Sequence, residues 1–103
     1  MVAYSVNGVP IRLSEERWLH IVSHHNEMAA YYFEVLEVIT QPERIFEGNA
    51  GELIAVKEHS PGKYFVVIYR EIHEEDGFVI TAFLTKRIKQ IERRKLIWQK
   101  KQR

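Results

Sequence analysis

The chain predicts an α+β fold, and two changes of rhythm carry that prediction. Apolar residues recur at helical spacing up to about residue 40, and at a period near two from Leu53 to Thr85. The links within the later block are short, which predicts antiparallel pairing. The expected architecture is an N-terminal hairpin and two helices packed on one face of an antiparallel sheet of about three to four strands. The other face stays free, and a basic C-terminal helix follows. At 103 residues the chain is long enough for one core and too short for two, so residues 1–103 form a single domain with 86–103 as its basic tail.

Each element has a local signal. Asn7-Gly8 between apolar neighbours predicts a hairpin over residues 3–12. Ser14 reads as an N-cap, and Glu15 and Glu16 suit the positive end of a helix dipole. The first helix is expected over 15–25, with Trp18, Ile21, Val22 and His25 in one stripe and Arg17, His20 and His24 beside it. A second helix over 28–40 places Met28, Tyr32, Val35, Leu36 and Ile39 together, and Gln41-Pro42 ends it. Residues 53–58, 64–72 and 78–85 read as three strands rich in Val, Ile, Phe and Tyr. Ser60–Lys63 and Glu74–Gly77 supply the turns between them. A last helix over 86–99 is expected from Ile88, Ile91, Lys95 and Trp98, with a frayed end over 100–103.

Composition excludes several chemistries. There is no cysteine, so disulfides, thiolate nucleophiles and cysteine-ligated zinc are ruled out, and the expected compartment is the cytoplasm. No apolar run approaches the roughly 18 residues of a membrane span, and no secretion signal is evident at the N-terminus. The net charge of +1 conceals a segregation. Residues 1–85 hold six Lys/Arg against thirteen Asp/Glu, whereas 86–103 hold nine Lys/Arg against Glu92 alone. Such a segment can meet phosphates, or fold back on its own acids.

Three of the five histidines, His20, His24 and His25, lie within six residues. Histidine is the side chain whose ordinary pKa lies near neutrality, so a cluster suggests proton transfer or metal binding. His20-x-x-x-His24 has a zinc-protease spacing, but Ile21 stands where the general-base Glu belongs. A third ligand would have to come from His25, Glu27, His59 or His73; the expectation is no metal and no other cofactor. Metal-free RNA cleavage instead needs a base, an acid and cations or donors around the phosphorane. Strand residues with that character are Lys57, Arg70, Thr81 and Thr85. The alternation places Thr81 and Thr85 on one face with Val79 and Phe83. On an ideal helix His20 and His25 lie about 140° apart. They converge only if the helix stops near His24 and His25 turns inward.

Trp18, His20-Ile21, His24-His25, Glu27, Pro42 and the run Gly77–Phe83 together resemble the small phage- and toxin-type nucleases of the barnase–EndoU–colicin–RelE superfamily. The pattern departs at His24 and Asn26, where Arg and Pro are expected. The resemblance covers most of residues 12–85. It implies a helix pair on an antiparallel sheet whose open face holds RNA, and attack by the ribose 2′-oxygen without metal. It makes His20, His25 and His24 acid/base candidates and Thr81 a phosphate-orienting hydroxyl. Lys57 and Arg70 become phosphate contacts, with Arg17, Thr85, Lys86 and Arg87 beside them. The expected function is a cytoplasmic endoribonuclease, the toxin of a toxin–antitoxin pair, with RNA and a cognate antitoxin as partners. Exposed strand edges add a homodimer as a further expectation. The rival reading is a non-catalytic module of the same fold that binds nucleic acid or protein.

Overall fold

The computed structural model describes residues 1–101. Two short strands, β1 (Val2–Tyr4) and β2 (Pro10–Arg12), form the N-terminal hairpin. Helix α1 (Glu15–His24) follows, then a 3-10 turn (Asn26–Ala30) and helix α2 (Tyr32–Thr40). Strands β3 (Arg44–Glu47), β4 (Leu53–Ser60), β5 (Lys63–His73) and β6 (Asp76–Thr85) come next. A short helix α3 (Ile88–Glu92) and strand β7 (Leu96–Gln99) complete the described chain.

The strands form one seven-stranded sheet in the order β1-β2-β6-β5-β4-β3-β7. This corrects the expected three to four strands. It also corrects the purely antiparallel sheet, because β2 runs parallel to β6, pairing Ile11 with Gly77 and Arg12 with Phe78. Gly77 makes that approach possible. A Cβ there would stand 2.5 Å from both the Arg70 carbonyl oxygen and Ile11 Cδ1. Pro61 and Gly62 join β4 to β5 as the turn chemistry predicts, with Gly62 at φ +77°, whereas the link from β5 to β6 is shorter than expected, with Asp76 and Gly77 already in β6.

The helices cover one face. Ile21, Met28, Val35, Val38 and Ile39 are sealed against Ile11, Ala55, Val67, Tyr69, Val79 and Ala82 of the sheet. Ser14 caps α1 by accepting the Arg17 backbone N–H at 3.1 Å. The expected single helix over 28–40 is divided instead. Tyr31 leaves helical dihedrals and lays its ring edge-on against Phe65 and His59.

The C-terminal basic helix is the largest correction. Only one turn, α3, is helical, and residues 96–99 become an edge strand on β3. Ile88 and Ile91 fit the helical spacing, but Trp98 reaches the core by another route. It sits opposite Ile45 on β3 and packs with the helix-side cluster. The opposite sheet face is therefore only partly free. Ile88 and Ile91 of α3 cover Phe46, Ile54, Val56 and Val66. Residues 102 and 103, the end of the expected frayed segment, lie outside the described residues.

Candidate functional site

The strand beside α1 is β6. Beyond Phe78 its β2 neighbour ends, and α1 lies along the edge that this leaves. Ile80 is the extra residue of a bulge, since Tyr69 pairs with Val79 and Ile68 with Thr81. Arg17 of α1 reaches this bulge and donates from Nη1 to the Ile80 carbonyl at 3.4 Å. The bulge also corrects the strand alternation. Val79 joins the helix-side core, whereas Phe83 packs with the opposite cluster, opposite Val66. Thr81 and Thr85, opposite Ile68 and Tyr64, share that second face.

Helix α1 ends at His24, and His25 is its C-cap with φ −135° and ψ 76°. The break turns the His25 ring onto Phe83, with centroids 5.6 Å apart and planes tilted by 32°. Its Nδ1 lies 3.9 Å from a Glu27 carboxylate oxygen. The helix thus stops where convergence requires, and His25 faces Phe83 of β6. His20 and His24 stay on the exposed side of α1 as a pair, with ring centroids 4.4 Å apart. His24 Nδ1 lies 2.9 Å from the His20 carbonyl and 3.2 Å from Ser23 Oγ, and the residue is exposed. A depression of about 320 Å³ lined by Ser14, Glu16, Arg17 and His20 opens beside the pair. A second, of about 180 Å³, is lined by Arg12, Ser14, Arg17, Phe78 and Val79. Arg17 and Ser14 line both, so the two depressions adjoin at the α1–β6 junction.

Other expected site residues separate. Lys57 lies on the helix side of β4, and its Nζ pairs with Glu37 Oε1 of α2 at 2.9 Å. It therefore does not share a face with Arg70. Arg70 lies toward the β3–β4 loop, where its Nη1 is 3.5 Å from the position of a Cβ on Gly51. Its charge, with that of Arg94, acts on Glu52. Hydrogen bonding from the Ala50 backbone is the main cause holding the Glu52 carboxyl below its ordinary range, and these two cations add to it. Thr85 accepts the Arg87 backbone N–H at 2.9 Å, fixing the exit from β6, and Lys86 and Arg87 are exposed there. At the other end of the strand, Arg12 and Asp76 pair at 2.8 Å, and that hydrogen bond holds the Asp76 carboxyl below its ordinary range.

The remaining histidines sit elsewhere. His59 Nε2 lies 3.3 Å from Tyr31 Oη, and its ring packs edge-on against Phe65. His73 Nδ1 accepts the Glu75 N–H in the β5–β6 turn. Among the described residues no group of three or more His, Asp or Glu is placed to hold a metal ion. The His20–His24 pair is thus not completed by Glu27, His59 or His73. Arg12 and Phe78 were missed as lining residues, because only the parallel β2–β6 pairing brings them beside Arg17. Among the described residues no helix is long and apolar enough to cross a membrane.

No protein family matches this chain, and no curated protein or solved structure matches it either.

Proposed function

We propose that the α1–β6 junction is the active site of a metal-independent endoribonuclease acting in the cytoplasm. The observation that carries this reading is the break at His24. It sets His25 against β6, while His20 and His24 remain beside the Arg17 depression. The reaction needs an imidazole to take the 2′-hydroxyl proton while the 2′-oxygen attacks phosphorus. The bond from phosphorus to the 5′-oxygen breaks, and a second imidazole gives that oxygen its proton. Base and acid must flank the phosphorus, so His25 supplies one role and a member of the His20–His24 pair the other. Arg17 donates one N–H to Ile80 and has four left for the phosphorane oxygens. Thr81, next to the bulge, offers a hydroxyl from the second sheet face, which the His25 ring meets at Phe83. A role as a toxin held by an antitoxin goes with this reading.

The non-catalytic rival also has an observation in its favour: among the described residues, no cation of residues 86–95 forms an ion pair. One assay separates the two. Total RNA is incubated in excess chelator with the wild type and with His20→Ala, whose exposed side chain can be removed without opening the core. Cleavage by the wild type alone, leaving 2′,3′-cyclic phosphate ends, is expected. Full activity in His20→Ala would remove His20 from the site, and intact RNA in both samples would favour the binding module.

A further inference from the structure

The chain leaves β6 at Thr85 and re-enters the sheet as β7, on the far side of β5, β4 and β3. Residues 86–95 make that crossing. Four strand steps at roughly 4.8 Å put the two ends about 19 Å apart. Ile88 and Ile91 hold the crossover down on Phe46, Ile54, Val56 and Val66, so it runs over the face that carries Thr81, Phe83 and Thr85. Its remaining side chains include Lys86, Arg87, Lys89, Arg93, Arg94 and Lys95. None of these six forms an ion pair among the described residues. Glu92, the one acid of the crossover, is engaged by Arg44 at 2.6 Å. Arg94 donates to the neutral side chain of Asn49 at 2.8 Å. The charge of Arg94 acts on Glu52, but among the described residues none of the six cations is held in an ion pair with the acidic body.

We propose that this crossover is a cationic track for single-stranded RNA, leading from the histidine edge to the β7 edge. The identity of the polymer rests on the RNA-cleavage reading; the track itself rests on the crossover. Cations spread along a line beginning one residue after Thr85 suit a chain carrying one charge per unit better than a compact anion. At about 3.4 Å per nucleotide of a stacked strand, a span of about 19 Å takes about five to six nucleotides, within the roughly 4–16 of single-strand sites. The track makes length a requirement: a dinucleotide reaches the histidines but not the far cations.

The test uses a labelled, non-cleavable 2′-O-methyl oligonucleotide of about 12 residues, a length within that range. Binding is followed by fluorescence anisotropy over a series of salt concentrations. Each neutralised phosphate contributes about −0.7 to the slope of log affinity against log salt, so six contacts give about −4. The triple variant Lys89→Gln, Arg93→Gln, Lys95→Gln alters three exposed side chains and should flatten that slope by about 2. Weak binding of a 2′-O-methyl dinucleotide, unchanged by the triple variant, is also expected. An unchanged slope, or no binding of the long oligonucleotide, would overturn the track. So would equally tight binding of a polyglutamate of matched charge. Because this readout involves no cleavage, the two readings fail separately. Salt-sensitive binding without cleavage would sink the enzyme and keep the track, whereas cleavage with an unchanged slope would do the reverse.

Discussion

The two faces of the sheet draw on the same strands and are finished differently. On the helix side, Ile11, Val67, Tyr69, Val79 and Ala82 lie sealed beneath α1, the 3-10 turn and α2. On the other side, Ile88 and Ile91 cover a smaller cluster around Phe46 and Val56, and Thr81, Thr85 and Arg70 stay half-exposed. The helix-side cluster is the larger of the two, and the second face is only partly covered. The β6 edge is where they meet, since His25 leaves the helix layer there and touches Phe83, whose packing belongs to the second cluster.

That contrast is sharpest in deletions of buried side chains. Ile39→Ala, in the sealed core, should cost about 2–5 kcal/mol by denaturant unfolding. Ile88→Ala, at the margin of the smaller cluster, should fall near or below about 2 kcal/mol because α3 can relax. Equal losses would mean that the two faces carry the fold alike.

Gly77→Ala tests the seam where the hairpin joins the meander. The new methyl meets backbone at Arg70, which cannot swing aside, so a loss of about 1–3 kcal/mol is expected from the thermal midpoint. A neutral outcome would show that β2 need not approach β6 so closely.

Tyr69→Phe should act in the opposite direction. The Tyr69 hydroxyl is buried in the helix-side core with no hydrogen-bond partner among the described residues, and burial pushes its pKa upward. Its removal should be neutral or stabilising by up to about 1 kcal/mol. A clear destabilisation would reveal a partner for the hydroxyl.

The smallest effect concerns acid. Arg12 holds Asp76 below its ordinary range, so the unfolded chain binds a proton more readily than the folded one at this position. Its contribution is present above the unfolded value, near 3.9, and fades as pH falls through the lower folded value. Asp76→Asn should therefore flatten the dependence of the urea midpoint on pH between about 5 and 2. An identical acid limb in variant and wild type would show that the pair contributes nothing to stability.

Elements with a strong local signature were legible in the sequence. The Ser14 cap, the Pro61-Gly62 turn and the three long strands all formed near their expected positions. The shorter strands were not legible, for a physical reason. In β3, Ile45 and Phe46 are consecutive and both buried because the sheet is covered on both sides there, which erases the polar alternation. In β7, Trp98 happens to lie at helical spacing from Ile91, yet it is half-buried through pairing with β3. The candidate site was legible as a list of residues and not as an arrangement. Lys57 and Arg70 proved to be on opposite faces, and one bulge residue, Ile80, moved Val79 away from Thr81. No local pattern encodes a register shift of that kind.

The most direct test of the histidine edge follows the ring signals of all five histidines by NMR while a 2′-deoxy oligonucleotide, which lacks the attacking hydroxyl, is added. The predicted result is saturable movement of His20, His24 and His25, with His59 and His73 stationary. Movement confined to His59 or His73 would contradict the assignment of RNA cleavage to the α1–β6 junction.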